Sequence, residues 1–439
     1  MTSKKILAAV FFAVILLFPV VTLFLPKQSF SELENRSLAS APVLSVSSIF
    51  DKSFMDQTEK YLADHIFLRE QIAKAKTAID YTAGKREIGG VYICENMLIE
   101  NIAQPDKEIT KGNAEAINAF AKKHADTLQT TVMLAPTAEA IYPQELPAFA
   151  PRVGQTEYIR SFYDQLSDVN TVDAYTVLSA HQKEYIFYRT DHHWTSYGAY
   201  LGYTALAKPL GFKAATADMF NIEHVSHDFL GTLYSKALCG EKLADSIDLY
   251  TYSQGDPVTD VIRYSGKNKQ TYASIFFREN LEDKDKYTVF LGQNNGLIQI
   301  KTNVANGKKL IVFKDSFANS VMQFLTLHYE EIAIVDLRYM NVPLSEYLDL
   351  SEYDQALFLY NVGTFTGDTS LKKVMARGET VELAALARLS DAMAEQAEWV
   401  ARFSLLPAST GLRLIFHQHL ANGYVLTVRQ AQGFHHSGV

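Results

Sequence analysis

Cysteine is nearly absent. Cys94 and Cys239 are the only two in 439 residues, which excludes a disulfide framework and any Cys-rich zinc site. They pair once if the chain is exported or stay as two buried thiols; the sequence does not choose. No basic tract appears, and the net charge of −8 argues against nucleic acid as the main partner. No HExxH pattern is present either. Charge of both signs is missing from residues 6–25, "ILAAVFFAVILLFPVVTLFL", directly after Lys4 and Lys5. Helical residues rise about 1.5 Å each, so this run spans roughly 30 Å, the hydrocarbon core of a bilayer. The positive-inside rule keeps the two lysines cytoplasmic and sends the remaining chain outward. A cleaved signal peptide is the competing reading, but no small-x-small site precedes "LPKQSFSELENR". The expectation is a single-pass protein of the cell membrane with its bulk outside the cytoplasm.

What is present is a chain with 48% hydrophobic residues, enough to bury a large core. Residues 1–27 form the cytoplasmic stub and anchor, and 28–89 a helical stem, with one helix expected over 48–85. "GGVYICENMLIEN" reads as a hairpin, Val91–Cys94 and Met97–Ile99 around a turn at Glu95-Asn96. Helix and strand then alternate through residues 90–370. "TTVMLAP", "TVDAY", "KKLIVFKDS", "EIAIVDL" and "QALFLYN" are the strands, the last three apolar on both faces. "NAEAINAFAKKHA", "TEYIRSFYDQLSD" and "FANSVMQFLTLHY" have helical periodicity. The result is an α/β domain, a mostly parallel sheet with helices on both faces, interrupted near 219–290 by an insertion of short antiparallel strands. Lysine disappears beyond Lys373, and 371–439 reads as a tail whose clearest element is an amphipathic helix, "TVELAALARLSDAMAEQAEWVARF".

The chemistry concentrates at two places. "KKLIVFKDSFANSVMQF" puts Ser316 at a strand-to-helix turn, on the carboxyl edge where α/β folds bind ligands. The following helix would direct its positive end and free N–H groups toward a developing oxyanion. A serine needs a positioned base, and a base histidine needs a carboxylate to fix its tautomer. "TDHHW" supplies both. In extended backbone Asp191 and His193 project to one side and His192 to the other, with Thr195 or Ser196 capping the next helix. Each site has a plainer alternative. Ser316 or Asp315 is a helix cap, Asp191 and His193 form a capping loop, Arg338 makes an ordinary ion pair, and Asn361 is a turn residue. A metal reading, with Asp191, His192 and His193 joined by His224 and His227, lacks a ligand set of metal spacing, because adjacent histidines diverge.

The run Thr190–Thr195 resembles the signature of the DHHW protein family. It is similar to the Asp-x-His-Trp motif of alginate O-acetyltransferases of the AlgX and AlgJ type, in the SGNH-hydrolase-like group. "FSELENRSLA", with Ser31, Glu34, Asn35 and Arg36, and "KDSF" resemble the other landmarks in the family order, from about residue 30 to about 365. The resemblance implies an SGNH-like, flavodoxin-like sheet, with Ser316 as nucleophile, His193 as base and Asp191 as its partner. It departs from the usual Gly-Asp-Ser block at Lys314. Candidate oxyanion or substrate groups are the backbone N–H of Ser316 or Phe317, Arg338 and Asn361. No cofactor is implied. The expected activity is O-acetyl transfer to an extracytoplasmic polysaccharide, with a multi-span membrane acyltransferase handing the acyl group across. An acetyl-esterase using the same residues is the enzymatic alternative, and a non-catalytic glycan-binding scaffold the other.

Overall fold

The computed structural model describes residues 3–375 apart from 241 and 267, together with the backbone of two short strands further on. The chain divides into two compact units, Met1–Ala376 and Arg377–Val439. Of the second, the described part is an antiparallel pair, Leu412–Leu414 with Val428–Gln430. The amphipathic helix expected there lies outside the described residues.

The chain opens with a 22-residue helix, Ser3–Phe24. Among the described residues no helix is long and apolar enough to cross a membrane. The anchor expected at 6–25 is therefore not borne out, the side chains at 13, 14, 17, 19 and 23 lying outside the described set. The stem is also not one helix but three: Val46–Phe50, Ser53–His65 and Arg69–Thr82. Lys52 and Leu68 break it, each in the left-handed region with φ of 65° and 56°. At the second break the Phe67 N–H is drawn out of the helix to Thr22 Oγ1, 3.1 Å away. The "SELENR" residues tie the stem together: Arg36 and Arg69 bridge Glu34 and Asp64, and the Arg36 guanidinium holds the Asp64 carboxyl down at about 2.

The central sheet has eight strands. In chain order they are β1 (Gln129–Ala135), β2 (Asn170–Val172), β3 (Val258–Ser265), β4 (Asn268–Tyr272), β5 (Leu297–Thr302), β6 (Lys309–Lys314), β7 (Glu331–Val335) and β8 (Gln355–Asn361). They lie in the order β4-β3-β5-β7-β6-β8-β1-β2. The run from β7 to β2 is parallel, and β5, β3 and β4 extend it antiparallel. The expected insertion thus contributes two strands to the main sheet, and only the hairpin Phe220–Phe229 with Asp245–Tyr252 stands apart. Successive residues of β6 alternate between two cores. Leu310 and Val312 pack on one face, Ile311 and Phe313 on the other, and all four are fully buried. Each such side chain contributes about 1.5–3 kcal/mol, which is why this run reads as uninterrupted apolar sequence.

Two expectations at the carboxyl edge need correction. "TVDAY" is a strand only to Val172, because Asp173 caps a helix over Ala174–Ala180 by accepting the Thr176 N–H. The helix after Ser316 is a 3₁₀ stretch, Ser316–Val321, and a single α-turn, Met322–Leu325. Side chains from elsewhere take the carbonyls of Ser316 and Phe317, which a regular helix would use itself. A long helix dipole behind Ser316 is therefore absent.

Candidate active site

Two loops meet beyond the end of β6. The first runs from Phe187 to Trp194, which pair as an isolated bridge. The Tyr188 N–H donates to His193 O at 3.2 Å, and the Thr195 N–H to Ile186 O at 3.0 Å. Asp191 Oδ1 accepts the backbone N–H of His193 at 3.0 Å, so the chain bends here instead of extending. His192 consequently does not point away, as strand alternation predicts. Its ring lies against that of His193, centroids 3.9 Å apart.

The bend brings Asp191 and His193 together by its own route. His193 Nδ1 is 2.6 Å from Asp191 Oδ1. An ionised carboxylate only accepts, so the imidazole carries its proton on Nδ1 and leaves Nε2 bare. Nε2 lies 2.7 Å from Ser316 Oγ, placed to accept the hydroxyl proton. Asp191 Oδ2 accepts from the backbone N–H of Thr232 at 2.7 Å and from its hydroxyl at 2.9 Å. Gly231 makes that approach possible, since a Cβ there would overlap the Asp191 carboxylate. Burial alone would raise the Asp191 carboxyl, but His192, His193 and the Thr232 N–H outweigh it and hold it below its ordinary range. Burial and the charge of His192 hold the His193 imidazole down at about 4, against the pull of Asp191. At neutral pH the site therefore pairs a neutral base with a charged carboxylate.

Further residues fix this geometry. Asp245 is fully buried and accepts from Tyr185 O–H, the N–H groups of Arg189 and Thr190, and the Thr190 hydroxyl. That pins the start of the loop. Trp194 Nε1 donates to Phe317 O at 3.0 Å and to Ser320 Oγ at 3.1 Å, locking the histidine loop to the serine turn. The Tyr287 ring stacks on His193, centroids 3.7 Å apart at 9°, and its hydroxyl donates to Ser316 O at 3.0 Å. Asp285 stands beside His192 and Asn35, its carboxyl pushed up to about 6 by burial and the Asp191 charge.

The remaining candidates are engaged elsewhere. Asp315 caps the turn: it accepts the Phe317 N–H at 2.9 Å, and Asn361 N and Nδ2 at 2.7 and 2.6 Å. Burial pushes its carboxyl up to about 6. The Phe317 N–H and the Asn361 amide are thus occupied, which leaves the Ser316 N–H of the two backbone donors expected. Arg338 forks onto Asp336 at 2.9 and 2.7 Å, the ordinary ion pair. Lys314, in the glycine position, is buried against Asn319 and Asp336 and so does not crowd Ser316. Ligand atoms of Asp191, His192 and His193 do fall within 4.8 Å of one another. They are committed to each other and to Thr232. His224 and His227 instead bond Asp248 and Ser246 on the separate hairpin.

Sequence reasoning missed Asp245, Thr232, Asp285 and Tyr287. All four fall in or next to the irregular 219–290 segment, where no periodicity marks a side chain as facing the site.

An α/β fold with a serine, a histidine and a carboxylate joined at its carboxyl edge is the class these observations define. The family pattern described as DHHW protein matches residues 132–335, so the resemblance to the DHHW family read from the sequence holds over that stretch. The fold is similar to that of a DHHW family protein from Eubacterium siraeum, with 25% identity, TM-score 0.57, and coverage of 65% of this chain and 95% of that one. It is also similar to PatB1 from Bacillus cereus, with 21% identity, TM-score 0.55, and coverage of 63% and 97%. That protein has in addition been solved with a sulfonyl adduct. No curated protein matches the sequence.

Proposed function

We propose that this protein is an O-acyl transferase, acetyl being the group moved, acting outside the cytoplasm on a cell-envelope or exported polysaccharide. The observation that carries it is the relay Ser316 Oγ, His193 Nε2, His193 Nδ1, Asp191, with steps of 2.7 and 2.6 Å. Ser316 Oγ attacks the donor's acyl carbonyl as its proton passes to His193 Nε2. Collapse expels the donor oxygen, which takes that proton, and leaves an ester on Ser316. A sugar hydroxyl then attacks the ester, its proton going through His193 to the departing Ser316 oxygen. The Ser316 N–H is the backbone donor available for the oxyanion. Asp191 keeps the base in the correct tautomer and balances the imidazolium.

Placement outside the cytoplasm is read from the sequence alone, from the uncharged run 6–25 behind Lys4 and Lys5. A donor handed across by a multi-span acyltransferase suits that location. The same residues serve an esterase if water replaces the sugar. The test incubates the full chain with a chromogenic acetyl ester, with and without oligosaccharide. Acetylated sugar supports the transferase, and free acetate alone supports the esterase. Glycan binding with no ester cleavage would leave a scaffold and overturn the proposal.

A further inference from the structure

Past the end of β8, among residues that follow Asn361, lies a cavity that the acyl-transfer chemistry does not use. It has a volume of about 460 Å³ and is lined by Arg338, Thr364, Asp368, Ser370, Lys372 and Lys373, with Gly367 and Thr369. That size falls in the range of small-molecule sites. Hydrogen bonds connect it to the serine turn. Thr364 on its wall bonds Asn361 through both its N–H and its hydroxyl, and Asn361 bonds Asp315.

Two polar atoms of its lining residues are buried without partners among the described residues. Asp368 spends Oδ1 on the Ser370 N–H, at 2.7 Å, while among the described residues Oδ2 has no hydrogen-bond partner, and neither does the Ser370 hydroxyl. Both residues are only 8% exposed. Leaving a buried carboxylate oxygen orphaned is costly, so one on a residue that lines a cavity signals a missing donor. Around it stand cations. Arg338 uses Nε and Nη2 on Asp336 and keeps Nη1 for a further contact. Lys373 holds the chain after β7 through Leu337 O and Met340 O, and Lys372 completes the basic rim.

We infer that this cavity binds a hydroxylated anion of sugar-unit size. One hydroxyl of the ligand donates to Asp368 Oδ2, and its anionic group meets Arg338 and Lys372. A hydroxyl donor is required because two acceptors cannot pair, and an anion because the rim carries three cations. Uronate sugars and polyol phosphates share this chemistry. As a holding point for the acceptor chain, the cavity rests on the acyl-transfer reading; as a binding site, it does not.

The experiment titrates the full chain, in detergent, with glucuronate, glycerol phosphate and neutral glucose by calorimetry. The protein is tested as wild type and as Asp368→Asn, Lys372→Gln and Ser316→Ala. Asp368→Asn keeps the acceptor for the Ser370 N–H and replaces the orphaned acceptor with a donor. The site predicts that at least one anion binds more tightly than glucose, glucuronate alone pointing to uronates and glycerol phosphate alone to polyol phosphates. Asp368→Asn and Lys372→Gln should each weaken that anion about tenfold or more, while Ser316→Ala leaves it unchanged. Absence of binding by both anions, equal binding of glucose, or indifference to Asp368→Asn in a folded protein would overturn it. Ester cleavage by Ser316 surviving such a result would show that only the cavity assignment had failed.

Discussion

Replacing Asp191 with Asn probes the site where its hydrogen bonding is most constrained. All four groups directed at this carboxylate are donors: His193 N, His193 Nδ1, Thr232 N and the Thr232 hydroxyl. An amide has one oxygen, so its NH₂ must face one of the two pairs. Turned to Thr232, it orphans a backbone N–H. Turned to His193, it orphans another and demands that Nδ1 accept, which moves the imidazole proton to Nε2 and blocks the base. Each orphaned donor costs about 1–3 kcal/mol, so the melting temperature should fall by several degrees. Because both orientations also remove the charge that balances the imidazolium, kcat for ester cleavage should fall by about 10³–10⁴. Thermal unfolding and initial rates on a chromogenic ester measure the two effects. A folded Asp191→Asn protein retaining more than about a tenth of the activity would refute this reasoning.

The low value of His193, about 4 against an ordinary 6.5, gives a pH dependence of definite sign. The unfolded chain takes up a proton on this ring below pH 6.5, whereas the folded protein resists until about pH 4. Stability therefore drops as pH falls through that window, by about 3 kcal/mol at about 1.4 kcal/mol per pH unit. Denaturant titrations should show the drop, and His193→Gln should flatten it. The rate, which needs the neutral ring, should rise through about pH 4 and be level to neutrality. Gly231→Ala drives a Cβ into the Asp191 carboxylate, so kcat should fall more than tenfold with KM little changed, as steady-state kinetics would reveal. Tyr287→Phe keeps the stack on His193 and loses the bond to Ser316 O. About 0.5–1.5 kcal/mol is at stake there, a two- to tenfold loss of kcat, with Tyr287→Leu expected to be worse.

The parts of the fold carried by local pattern were legible. Strands β1, β6, β7 and β8 are buried on both faces and appear as apolar runs, and the placement of Ser316 just beyond β6 follows from that run alone. Asp191, His193 and Trp194 were conspicuous as a contiguous motif. Why they converge was misread: the Asx-type bond within 191–193 bends the loop, and an extended strand would have sent His192 the other way. The helix after Ser316 was overextended because Trp194 and Tyr287, distant in sequence, claim its first carbonyls. Arg338, Asn361 and Phe317 sit at the expected edge. Arg338 forks onto Asp336 through Nε and Nη2, and the Phe317 N–H and the Asn361 amide go to Asp315, a competition that only tertiary proximity reveals. Asp245 pins the motif from 55 residues away, and no spacing rule connects the two.

The most direct test of acyl transfer through Ser316 is mass spectrometry of the protein's peptides after brief exposure to an activated acetyl ester. Acetyl should appear on the peptide holding Ser316, vanish when acceptor sugar is added, and never form in Ser316→Ala. Ester turnover with no acetyl on that peptide, and undiminished in Ser316→Ala, would contradict it.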